Sequence, residues 1–383
     1  MKPRFSLDPR SAALALASGT LLVVGCSQAD DDAQVRQHAA LAATNSAEAS
    51  EPVPEKPAEP TAQDVGREEL ARQIDEIGEK FDGDVGIAVR EVESGWHTGF
   101  NAAEMMPQQS VSKLWVSMAA LDLADQGRID LSDPVTIRKQ DLTVFHQPLR
   151  SEVLQKGAYT ADLRDYMTRA ITRSDNTAND TILRRIGGPA RVEDMIANKR
   201  LSGVKFGTDE RTKQSRIAGL AWRPEYSIGG AFFDARDLVP EDRRRVAFEN
   251  YLANPMDGAS AEGIVLALAR LARGDLLSPA STRLLIDTMT QTHSGPRRLK
   301  GAVPEGWTIA HKTGTGQYFD GWQSGYNDIA LLYAPDGTAY SMAVMIKRTR
   351  NGVPANMEMM QQVTSAVVAY HDVLRAAQAD PAA

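Results

Sequence analysis

Cysteine is almost absent: Cys26 is the only one in 383 residues. No disulfide can form within the chain, and a cysteine-based zinc site is excluded. The six histidines (His38, His97, His146, His293, His311 and His371) are scattered, with no His-x-x-x-His pair among them. Neither a metal nor another cofactor is therefore expected. Positive charge is also lacking. The formal net charge is −7, which argues against general nucleic-acid binding, since that relies on a positive field. It leaves room for a basic cleft inside an acidic average. The chain has no internal repeat. What remains is an ordinary soluble balance, with 42% hydrophobic and 24% charged residues, in a chain long enough for one large or two ordinary domains.

The N-terminus reads as a targeting segment. Lys2, Arg4 and Arg10 precede an apolar run from Ala12 to Gly25, too short to span a bilayer comfortably. The run ends in Val23-Val24-Gly25-Cys26, which resembles a bacterial lipoprotein signal. That resemblance implies a signal peptide over residues 1–25 and a lipidated Cys26. It predicts an exported, periplasmic protein anchored to the membrane through its acyl chains. Residues 26–62 contain Asp30-Asp31-Asp32 and then are rich in Ala, Glu and Pro. Such a segment cannot bury enough surface to offset its ordering entropy, so a disordered tether is expected.

The texture changes near Val65, and a catalytic domain is expected over residues 63–375, with a disordered tail at 376–383. Leu70, Ile74, Ile77 and Phe81 fall at helical spacing. Val85, Ile87 and Val89 alternate as a strand, and Glu93-Ser94-Gly95 has turn chemistry. Helices follow over Leu114–Leu121, Leu163–Ile171, the stretch before Gly187, Ile264–Leu271 and Thr282–Met289. Ser278 and Pro279 serve as the cap and first residue of the last of these. Strands return at Trp307–Lys312, Asp328–Tyr333 and Tyr340–Lys347, before a final helix bearing Val363, Val367 and Tyr370. This order predicts an α+β fold: an antiparallel sheet flanked by helices, with an all-helical subdomain.

Three short motifs stand in sequence: Ser110-Val111-Ser112-Lys113, Ser174-Asp175-Asn176 and Lys312-Thr313-Gly314. Ser110 and Lys113 are one helical turn apart, so their side chains share a face. A serine hydroxyl is a weak nucleophile until a base takes its proton. A lysine can do that when burial and nearby positive charge lower its pKa, and Lys312 could supply that charge. The N–H groups of Ser110 and Thr315 could receive a developing oxyanion. Ser174 could relay a proton to a leaving nitrogen, and Asn176 could hold Lys113 and a substrate amide.

Together the three motifs resemble those of penicillin-recognising serine hydrolases, and of the class A β-lactamases in particular. The likeness extends over Leu70 to His371. It includes Ile186-Gly187-Gly188-Pro189 and the run from Gly274 to Pro279. It implies a monomeric enzyme acting on a β-lactam or a D-alanyl peptide, with an acyl-enzyme on Ser110. Lys312, Thr313, Gly314, Thr315 and Asn176 would bind substrate, and His146 would touch it from the rim.

The family's Glu-x-x-Leu-Asn stretch, which holds the deacylating glutamate on the Ω-loop, is missing here. Counting the family spacing onward from Ser174 reaches Glu210, with Gln214 where the family has asparagine. Glu249, in Glu249-Asn250-Tyr251-Leu252-Ala253-Asn254, looks more like the motif but lies further along. The extra length falls between Gly207 and Pro255, so an enlarged Ω-loop region is expected. Asn327 stands where the family often has a carboxylate-binding arginine, leaving Lys347, Arg348 and Arg350 as possible helpers. Two alternatives share Ser110 acylation: a D,D-carboxypeptidase or transpeptidase, and a β-lactam sensor that stays acylated.

Overall fold

A computed structural model describes residues 60–379. The expected signal peptide, Cys26 and nearly all of the tether lie outside the described residues. The fold begins with the helix Ala62–Lys80, whose cap Thr61 exchanges hydrogen bonds with Asp64. This reciprocal capping box starts the helix one residue before the expected domain boundary.

The main sheet has six antiparallel strands. In chain order they are β1 (Gly83–Glu91), β2 (His97–Phe100), β3 (Thr308–Thr315), β4 (Tyr318–Phe319), β5 (Trp322–Tyr333) and β6 (Ala339–Thr349). The spatial order is β2-β1-β6-β5-β3, with β4 paired to β5. Both faces of the central strands are covered. Met342, Val344 and Ile346 of β6 face a layer made by the first helix and the last, Val353–Ala379. Ala343 and Met345 of the same strand face the helical subdomain. Two-sided burial explains why Ile329–Tyr333 of β5 and Met342–Ile346 of β6 read as continuous apolar runs rather than alternating ones.

The subdomain is built around the helix Lys113–Asp125, and packs Leu163–Thr172, Asn176–Arg185, Ala261–Ala272 and Pro279–Thr290. Ser278 caps the last of these through Ser281 N–H, with Pro279 at the first position, as the sequence predicts. One boundary moves. The final helix continues through residues 376–379, assigned above to the tail. Ala376, Ala377 and Ala379 favour helix, and an Asp380-Pro381 pair, which disfavours it, follows in the sequence.

The extra length between Gly207 and Pro255 is helical. It holds Glu210–Ile217, a 3-10 turn at Pro224–Ser227, then Ala231–Asp237 and Glu241–Ala253. Two small apolar clusters of its own hold it, one around Phe248 and Leu252, the other around Tyr226 and Phe232.

Candidate active site

Ser110 lies in the 3-10 turn Gln109–Ser112, which runs into the helix beginning at Lys113. Side chains three residues apart eclipse in such a turn. Lys113 Nζ accordingly stands 2.7 Å from Ser110 Oγ. Lys113 and every residue from Leu114 to Leu121 are buried, so the nucleophile rests on a packed platform. Burial pushes the Lys113 ammonium below its ordinary pKa; Glu210 opposes this, and the charge of Lys213 reinforces it. Lys213, absent from the sequence reading, is thus a further cation at Lys113, beside Lys312, to which that part was given above.

Asp175 caps the helix Asn176–Arg185, accepting from Ala178 N–H at 2.9 Å and from Leu149 N–H at 2.7 Å. This turns Ser174 toward the cleft, where Lys312 Nζ donates to its Oγ at 3.0 Å and to the Thr313 carbonyl at 2.8 Å. Burial, Lys113 and Arg298 hold Lys312 well below the usual lysine range. Asn176 does not hold Lys113. Its Nδ2 donates to the Val144 carbonyl at 2.9 Å, and its Oδ1 has no partner among the described residues. Gly314 is set by close approach: a Cβ there would meet the Gln108 carbonyl at 2.3 Å, which lets β3 press against the turn before Ser110.

Glu210 opens its helix behind the cap Asp209, which accepts from Thr212 N–H at 2.8 Å. It is 2% exposed, not part of a solvated charge run. Its Oε1 lies 3.1 Å from Lys113 Nζ and 3.0 Å from Lys213 Nζ, and its Oε2 accepts from Gln214 Nε2 at 3.2 Å. Burial alone would raise its pKa. Lys113 and Lys213 outweigh that and hold it well below the usual carboxylate range. Glu249 is on the surface instead, with a half-exposed side chain 3.7 Å from Arg348. The resemblance of its surroundings to the missing motif is therefore accidental.

Beside these buried groups lies a cavity of about 480 Å³ lined by Ser110, Ser174, Gln214, Thr313, Thr315 and Arg298, with Phe145, His146, Phe233, Arg236, Gln317 and Tyr318 toward the rim. His146 lies on the rim, its Nε2 2.8 Å from the Arg173 carbonyl. Gln109, Phe145 and Ser174 all have φ near +55 to +61°. Such conformations are costly for side-chain-bearing residues and gather at functional sites.

No basic residue stands at Asn327 itself, but one lies beside it. Asn327 is buried and donates to the Pro107 and Gln108 carbonyls, so it ties β5 to the nucleophile turn. Lys347 pairs with Glu104 at 2.7 Å and Arg348 with Asp84 at 2.8 Å, while Arg350 stacks on Trp322. None of the three lines the cavity. Arg298 does. It donates to the Gly314 and Asn327 carbonyls at 2.8 and 2.6 Å and to Thr315 Oγ1 at 2.6 Å, above the Tyr326 ring. No motif marks Arg298; the only signal was that a cation was missing where Asn327 stands.

The profile of the β-lactamase enzyme family matches residues 69–371. The chain is 27% identical over 294 residues to the extended-spectrum β-lactamase PER-1 of Pseudomonas aeruginosa, covering 77% of this chain and 84% of that one. It is 26% identical to a β-lactamase of Bacteroides uniformis, covering 80% and 92% respectively. A solved β-lactamase from Chitinophaga pinensis superposes with a TM-score of 0.64 at 25% identity, over 78% of this chain and 97% of that one. The TLA-1 extended-spectrum β-lactamase shares the fold with a TM-score of 0.66 at 23% identity, over 80% and 99%. With the serine–lysine pair, the second serine and the buried glutamate in one cleft, the chain belongs to the β-lactamase enzyme family, as a class A serine enzyme.

Proposed function

We propose that this enzyme opens the β-lactam amide by acylating Ser110, and that Glu210 then drives hydrolysis of the acyl-enzyme. One observation supports both halves: Glu210 Oε1, Lys113 Nζ and Ser110 Oγ form a continuous chain of 3.1 and 2.7 Å contacts. Lys113 takes the Ser110 proton while Oγ bonds to the carbonyl carbon. The N–H groups of Ser110 and Thr315 receive the oxyanion. The C–N bond breaks, the ring nitrogen takes a proton from Ser174, which Lys312 orients, and the proton held by Lys113 passes to Ser174 to replace it. Glu210 next accepts a proton from water as its oxygen adds to the acyl carbon, with Gln214 helping to hold that water. The C–Oγ bond breaks, and Ser110 Oγ takes back, through Lys113, the proton that Glu210 accepted from water.

The free Oδ1 of Asn176 suits the substrate's amide N–H. Arg298 and Thr315 suit the ring carboxylate, because a charge-assisted pair to a fixed guanidinium is both strong and directional. The inserted helix Ala231–Asp237 adds Phe233 and Arg236 to the rim, a surface for the substrate's acyl side chain.

Sustained hydrolysis of a chromogenic cephalosporin far beyond one equivalent, with no adduct in Ser110→Ala, is the expected result. A one-equivalent burst ending in a stable Ser110 adduct would return the reading to a penicillin-binding peptidase or sensor. The N-terminal signal supports export and lipid anchoring at Cys26. Cys26→Ser should move the protein out of the membrane fraction, and unchanged partitioning would reject the anchor.

A further inference from the structure

A buried carboxylate needs one compensating cation, and Glu210 has two on the same oxygen. Lys113 Nζ is 3.1 Å and Lys213 Nζ 3.0 Å from Oε1. Lys213 is 1% exposed and does not line the cavity, so it cannot be there to meet substrate. Its ammonium also lies 3.2 Å from Asp257 Oδ2 and 3.3 Å from the Gln109 carbonyl. Asp257 Oδ2 in turn accepts from Gln109 N–H at 2.9 Å. One buried side chain thus ties the glutamate to the residue just before the nucleophile.

We propose that Lys213 is a positioning residue for this reaction: it neutralises Glu210 from behind and so frees Lys113 to take the proton of Ser110. The inference rests on the acyl-enzyme reading above. Without Lys213, Lys113 would be the cation nearest the carboxylate, and it would keep its own proton to fill that role. A fully protonated amine cannot accept the Ser110 proton. With Lys213 present, the carboxylate is already compensated. The other charges facing this group are Asp180 and Asp209 beneath Glu210, Asp257 beyond Lys213, and Lys312 across the cleft. Asp180, once ionised, favours a charged Lys113, which makes the opposing charge of Lys213 the more necessary. The direction of the Lys113 shift agrees, since burial and Lys213 together outweigh the pull of Glu210 on it.

The test is the single-turnover acylation rate of the full chain by a chromogenic cephalosporin, followed from about pH 5 to pH 10, with the adduct located by mass. Lys213→Met should move the acid limb of that rate upward by about one pH unit, an approximately tenfold loss at pH 6 that is recovered at high pH. Lys213→Arg should keep the original profile. A profile of unchanged shape, lowered by one factor at every pH, would reduce Lys213 to a structural ion pair and overturn the proposal. Should Lys213→Met fail to fold because it strands Asp257, the K213M/D257N double variant removes both charges and reads the same limb. A wild-type protein that forms no adduct on Ser110 would instead remove the acyl-enzyme reading itself.

Discussion

The nucleophile helix and the Glu210 helix meet where Lys113 touches Glu210, yet they are held in place by opposite means. Behind Ser110, Leu114, Trp115, Val116, Met118 and Leu121 are completely buried. Each large apolar side chain contributes roughly 1.5–3 kcal/mol by burial, without directional demands. On the other wall, Glu210, Lys213, Gln214 and Ser215 turn inward and only Ile217 is apolar. Hydrogen bonds there contribute about 1 kcal/mol net each, but a stranded charged partner costs several. The first wall is therefore a platform that tolerates local change. The second holds or fails as a network.

The largest effect should come from breaking that network at its centre. Glu210→Gln keeps the shape of the side chain and removes the base. Turnover should fall by about 10²- to 10⁴-fold, the usual contribution of a positioned general base. Acylation should survive, because Lys113 and Ser110 remain paired. Intact mass during steady state should then show the acyl-enzyme on Ser110 as the dominant species. Turnover unchanged from the parent would remove Glu210 from the mechanism.

The same contrast explains what could be read from the sequence. Ser110 and Lys113 announce themselves because a single turn brings them together, and Ser174 and Asn176 because the Asp175 cap sits between them. The strands and most helices were equally legible, since their apolar patterns are local. On the polar wall the partners are far apart in the chain: Glu210 reaches back 97 residues to Lys113, and Lys213 reaches back 104 to Gln109. No short pattern encodes such pairings. Glu210 was reached only by counting family spacing, and the same look for a motif drew attention to Glu249, which the fold leaves on the surface. Arg298 and Lys213 have no local signal at all.

Arg298 sharpens the comparison on a smaller scale, because it is a buried cation held by carbonyls rather than by an acid. Its charge is left available to the cavity. Arg298→Ala should lower kcat/KM by roughly ten- to a hundredfold, the equivalent of one charged hydrogen bond. The loss should appear mainly in KM. It should also be confined to substrates with a free ring carboxylate, so that a carboxyl ester is hydrolysed by variant and parent at nearly the same rate. An equal loss on acid and ester would mean that Arg298 only shapes β3.

The smallest predicted effect lies at the seam between the two walls. Asp180, on the well-packed helix Asn176–Arg185, accepts from Glu210 N–H at 3.2 Å through Oδ1, while its Oδ2 has no partner among the described residues. Burial first, then Asp209 and Glu210, push its carboxyl up from the ordinary aspartate range to about 7. The folded protein thus keeps a proton there that the unfolded chain gives up near pH 4. The associated stability is fully present below the unfolded value and is lost as pH rises through about 7. Asp180→Asn preserves the acceptor for Glu210 N–H and cannot ionise. Its melting temperature should therefore gain on the parent between pH 5 and pH 8, by about 2–4 °C for each kcal/mol recovered. Thermal unfolding at the two pH values checks this, and a difference that stays constant would show that Asp180 does not change protonation across that range. A growing difference would show that the polar wall costs the packed wall stability at neutral pH, and that ionised Asp180 is where the cost falls.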